Sequence, residues 1–268
     1  MPNALESGQP AAVQPNSFTQ IEQRVAGGRL SFTGPLVLAA LRPMLFFTVQ
    51  GLLALGYFAI HRPGAWHEAG RWWTVYGTVV DIGCLIGLRI FTRKEGIRMR
   101  DLIGPLRLRG GRDVFLGLGI FLLVFPCIVG GSMLAQRLLY GSLETATSVY
   151  LTQLHALPLW AFVYSVTVWW VISSPTEEAI YQGYALPRLR ALTGRTWIAM
   201  AVVGFWFAAQ HALLPFVPDA KYLLFRFLQF VPAVLILMII YLRTRRLGPL
   251  ILAHWCMDIL GAIMTATH

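Results

Sequence analysis

From residue 35 onward the chain alternates between long apolar runs and short polar connections. The runs fall at about 36–60, 72–91, 114–136, 158–180, 196–216, 222–241 and 247–265, each long enough to cross roughly 30 Å of hydrocarbon as a helix. Backbone hydrogen bonds must close within such segments, because lipid offers no partners. The pattern therefore predicts an all-α, polytopic membrane helix bundle of about seven transmembrane helices. An eighth element would follow if the stretch from Pro215 to Asp219 hides a re-entrant turn or a short helix. Residues 1–34 break the pattern. They are rich in Gln, Pro, Ser and Gly, lack a charged start leading into a short apolar core, and read as a flexible cytoplasmic tail preceding a transmembrane domain at 35–268.

Composition strengthens this class. Hydrophobic residues make up 56% of the chain, charged residues only 13%, and the mean hydropathy is +0.61, which does not fit a soluble domain. A net charge of +10 would by itself suggest nucleic acid. The basic residues, however, lie in the short connections, where they act as topology signals, so no nucleic-acid partner is expected. With the N-terminus inside, fifteen Lys and Arg fall on the inner side and four (Arg62, Arg71, Arg137, Lys221) on the outer. Arg42, Arg89 and Arg226 lie near span ends, where long side chains snorkel. The basic segment 92–113 reads as lying on the anionic inner leaflet. Cys84, Cys127 and Cys256 read as small buried apolar residues, and Trp72, Trp73, Trp169 and Trp170 as belt or packing residues.

Ionisable groups inside the spans carry the functional information, because each costs at least about 2.5–3.5 kcal/mol to insert. Glu177 and Glu178 lie in the fourth run, His211 in the fifth, and His254 and Asp258 in the seventh. At 1.5 Å per helical residue, Glu178, His254 and Asp258 lie about 12–18 Å from the basic residues at their helix ends. His211 lies about 24 Å from Arg195 and fits this depth least well. Residues four apart share a helix face. His254 and Asp258 therefore act together, Glu178 pairs with Gln182, and Glu177 points elsewhere. Asp81, midway along the second run, is equally a packing partner or a site contributor. Carboxylates and imidazoles in a site short of bulk water suit hydrolysis, with a buried carboxylate as general base. Neither Gly-x-Ser-x-Gly nor His-Glu-x-x-His nor a phosphate loop occurs. An apolar substrate would reach such a site laterally, which implies a lipid-linked or membrane-embedded peptide.

EEAIYQG from Glu177, FAAQH ending at His211 and HWCMD from His254 to Asp258 together resemble the three signature motifs of the CAAX protease and bacteriocin-processing family. These intramembrane endopeptidases include the Ras-converting prenyl protease and bacterial abortive-infection and bacteriocin-immunity proteins. The resemblance places a catalytic core at 158–265 and implies a bacterial inner-membrane enzyme acting on a membrane-associated peptide or protein. It implies that Glu177 activates water with help from His211, that His254 and Asp258 stabilise the oxyanion or orient the site, and that Glu178 supports them. If zinc takes part, His211 and His254 would be its first two ligands. Gln182 departs from the pattern, which has Arg there. An amide can hydrogen-bond Glu178 but supplies no charge, so a pseudoenzyme, transporter or immunity factor using the same polar core for binding is the alternative.

Overall fold

A computed structural model describes residues 14–104, 111–143 and 157–266. Helices in chain order are α1 (Phe18–Ala26), α2 (Thr33–Ala59), α3 (Ala65–Gly70), α4 (Trp73–Lys94), α5 (Arg112–Tyr140), α6 (Leu159–Thr167), α7 (Trp169–Glu178), α8 (Leu186–Thr193), α9 (Thr196–Ala212), α10 (Ala220–Thr244) and α11 (Leu247–Ala266). A 3₁₀ turn at Met99–Leu102 follows α4, and a π-helical segment, Ala179–Ala185, joins α7 to α8. No strand occurs among the described residues.

The helices overlap all seven expected runs, and among the described residues four are long and apolar enough to cross a membrane: α2, α4, α5 and α10. The other three runs are less regular. Run 158–180 breaks at Val168 and passes into the π segment, run 196–216 yields the 17-residue α9, and α11 is apolar over Leu247–Leu260. The break at Val168 has a local cause. The Ser165 and Thr167 hydroxyls bond the carbonyls of Ala161 and Val163, a back-bonding that bends helices. The π segment precedes Pro187, which has no N–H for the Gly183 carbonyl four residues earlier.

Large apolar side chains such as Leu52, Phe58, Phe115 and Leu122 point outward along the long helices. The buried apolar residues form one main cluster that draws on α2, α4, α5, α7, the π segment, α9, α10 and α11. Helix α5 packs against α10 and α11, α9 against α10, and α7 against α4 and α11. An apolar exterior around a buried polar interior makes this an integral membrane protein.

Three expectations change here. Residues 14–34, read as flexible, include α1, which packs on α8 with Ile21 fully buried, because its apolar and aromatic side chains find partners there; residues 1–13 lie outside the described set. Residues 213–219 form a turn, held at Phe216 by Gln50, which accepts from the Phe216 N–H and donates to its carbonyl. Cys127 and Cys256 are half-buried and only Cys84 is fully enclosed. Arg107 and Arg109, part of the expected leaflet-facing segment, also lie outside the described set.

Candidate active site

Glu177 and Glu178 end α7, and their side chains diverge as adjacent helical positions must. Glu177 faces α2 and α9. Its Oε1 is 2.7 Å from Arg42 Nη1 and accepts a bond from Ser173 at 3.3 Å, and its Oε2 accepts from Gln210 Nε2 at 2.6 Å. Glu178 faces α11, with its Oε1 2.9 Å from His254 Nδ1. The other face of the imidazole completes the cluster. His254 Nε2 is 3.6 Å from both Glu177 Oε2 and Asp258 Oδ2, and Asp258 accepts from Ser174 at 2.9 Å. Four of the five expected residues are thus brought together, on α7 and α11.

His211 is placed differently. Helix α9 starts directly after Arg195, so His211 falls in its last turn. Its ring stacks on Phe230 at 3.7 Å and lies 6.0 Å from Phe207, whose own ring is 6.2 Å from His254. Phe207 therefore stands beside both imidazoles, and Gln210, the neighbour of His211, is what touches Glu177.

Gln182 is not the partner of Glu178. It lies in the π segment, where four-residue spacing no longer follows the α-helical face. Both of its amide atoms are buried without a hydrogen-bond partner among the described residues, as is Glu178 Oε2.

Arg42, expected to snorkel near a span end, instead has zero exposure. Its guanidinium donates to Asp81 at 2.9 Å, Gln210 at 2.8 Å and Ser173 at 2.9 Å, in addition to pairing with Glu177. Asp81 is both packing partner and site contributor, since its Oδ2 also accepts from Trp169 Nε1 at 3.1 Å. Trp169 is a buried donor here, not a belt residue. An ideal Cβ on Gly77 would lie 2.8 Å from that indole nitrogen, so glycine is what lets Trp169 reach Asp81. Arg226, also expected to snorkel, is buried and donates to the His211 carbonyl. The signal that could have found Arg42 was its position in the span: a charge at the seventh position of an apolar run calls for a partner, and Asp81 was the midspan acid available.

Zinc does not fit this donor set. Among the described residues no three His, Cys, Asp or Glu side chains form a group that could hold a metal ion. The expected pair is not brought together as a ligand set: His211 stacks on Phe230 in the last turn of α9, and Phe207 stands beside both imidazoles.

Chemically, the cluster combines a carboxylate fixed at both oxygens with an imidazole fixed at one nitrogen, in an enclosed setting where electrostatic interactions are strong. Comparison with known families finds that residues 158–260 match the Rce1-like model, described as Type II CAAX prenyl endopeptidase Rce1-like. The match contains all three motifs and covers less than half of the chain, and it supports the resemblance that those motifs carry. No curated protein and no solved structure matches the chain.

Proposed function

We propose that this protein, whose residues 158–260 match the Rce1-like family model, is an intramembrane endopeptidase that hydrolyses a peptide bond in a membrane-associated peptide or protein. The observation that carries the reading is the approach of Glu177 Oε2 and His254 Nε2 to 3.6 Å, with each group oriented by other partners. Arg42 and Gln210 fix the Glu177 carboxylate, and Glu178 fixes the His254 ring.

Glu177 is the general base. A water molecule accepted between Glu177 Oε2 and His254 Nε2 gives its proton to Glu177 while its oxygen attacks the scissile carbonyl carbon. The carbonyl electron pair moves onto oxygen, and a donor there stabilises the oxyanion. Collapse of the tetrahedral intermediate breaks the C–N bond, and the proton held by Glu177 passes to the leaving nitrogen. Asp258, held by Ser174, and Glu178 keep His254 in register from two sides. His211 takes no proton-transfer step in this arrangement.

The reading also carries a topology. The Lys and Arg distribution supports an N-terminus on the cytoplasmic side, with the basic connections against the anionic leaflet, and the motif resemblance is what points to a bacterial cytoplasmic membrane.

The test is cleavage of a fluorogenic, prenylated peptide with a CAAX-type end by the full-length protein in liposomes. Glu177→Gln and His254→Ala should each lower kcat by about 10²-fold or more, with the protein still folded. Cleavage that survives both substitutions unchanged overturns the assignment.

A further inference from the structure

The segment leading into α1 reaches the π segment that directly follows the two glutamates. Asn16 is 7% exposed and donates through Nδ2 to the carbonyl of Gly183 at 3.0 Å. That carbonyl lies in the π segment, five residues after Glu178, and faces Pro187, which has no N–H to offer it. Arg188 completes the contact. Its Nη1 donates to Asn16 Oδ1 at 3.1 Å, to the Gly183 carbonyl at 3.3 Å and to the Tyr184 carbonyl at 3.2 Å. Its other nitrogens grip both oxygens of Glu95 at 2.8 Å.

The rest of the segment is anchored around this point. Arg24 donates to the Pro15 carbonyl and lies 3.5 Å from Glu95. The Phe18 ring is held between the guanidiniums of Arg190 and Arg245, each 3.9 Å from its centroid, and Arg245 also donates to the Asn16 carbonyl. So many directional contacts on one short stretch exceed what a tail needs to lie on a surface. Of these contacts, the Asn16 and Arg188 bonds land on the Gly183 and Tyr184 carbonyls of the π segment, an i→i+5 geometry that is rare and mostly confined to single turns.

We propose that Asn16 is a positioning residue: through the Gly183 carbonyl it clamps the π segment and so fixes the turn from which Glu177 and Glu178 project. The catalytic part of this inference rests on the endopeptidase reading, whereas the clamp itself does not. The amide is required because Asn16 must donate to Gly183 and accept from Arg188 at once. A carboxylate of the same size can do only the second.

The experiment uses the full-length protein in detergent micelles and three forms: wild type, Asn16→Ala and Asn16→Asp. Hydrogen exchange of the amides in 179–189 should rise several-fold in both variants, with α5 unchanged. On the fluorogenic prenylated peptide, kcat should fall about fivefold, as loss of one hydrogen bond would give, with KM within about twofold. Asn16→Asp is the isosteric control for folding. Unchanged exchange at 179–189 in Asn16→Asp overturns the clamp whether or not the peptide is cut. Raised exchange with unaltered kcat, or an effect on KM alone, overturns its positioning role. Wild-type protein that leaves the peptide intact counts against the endopeptidase reading, and the exchange result still decides the clamp.

Discussion

One buried guanidinium, Arg42, has acceptors on α4, α7 and α9, so the loss of any partner falls on the others. Removing one member of a buried pair costs about 3–5 kcal/mol, because the remaining charge is left uncompensated. Asp81→Asn should therefore destabilise the protein by about 3 kcal/mol, read as SDS-induced unfolding in mixed micelles. A loss under about 1 kcal/mol would show that the pair is not what holds α2 to α4. Gln182 predicts the opposite sign. Its buried amide has no hydrogen-bond partner among the described residues, and replacing such a group by an apolar one of similar size relieves its desolvation. Gln182→Leu should be neutral or stabilising by about 1 kcal/mol in the same assay. A clear destabilisation would mean that the amide has a partner after all.

Glycine contacts show how the elements set this geometry. At Gly77 an added methyl meets the rigid Trp169 indole at 2.8–2.9 Å, whereas at Gly204 its nearest neighbour is the flexible end of Met238 at 2.9 Å. Gly77→Ala should cost about 1–3 kcal/mol and displace Trp169 from Asp81. Gly204→Ala should be tolerated, since Met238 can move aside and alanine gains about 1 kcal/mol in a helix interior. Thermal unfolding midpoints of the two variants check the contrast, and equal losses would refute it. The contrast also marks the limit of the sequence. Apolar runs gave the helices, and His254 with Asp258 gave a shared face, because both are local features. The pairing of Arg42 with Glu177 joins residues far apart in the chain, which hydropathy does not register. The π segment defeated the expected pairing of Glu178 with Gln182, since four-residue spacing assumes α-helical geometry. His211 lies in the last turn of α9, as its distance in sequence from Arg195 predicts, and its ring stacks on Phe230.

At the scale of the whole molecule, outward apolar surface and inward charge place the chain in a bilayer, and its basic connections should face one side. Single cysteines at Arg62 and Lys94, on opposite ends of the α2–α4 hairpin, should react with an impermeant maleimide from opposite faces of sealed vesicles. Labelling of both from one face would refute the proposed topology. The burial of Arg42 bears in addition on how the chain is made. During synthesis α2 enters the membrane before any of its acidic partners exist, at a cost of about 2.5–3.5 kcal/mol for an unpaired arginine. Asp81 arrives with α4 and neutralises it, long before Glu177 is translated. Helices α2 and α4 should therefore integrate as a hairpin. A nascent chain ending after α2 should insert less completely than one extending through α4, and restoration of that deficit should require Asp81.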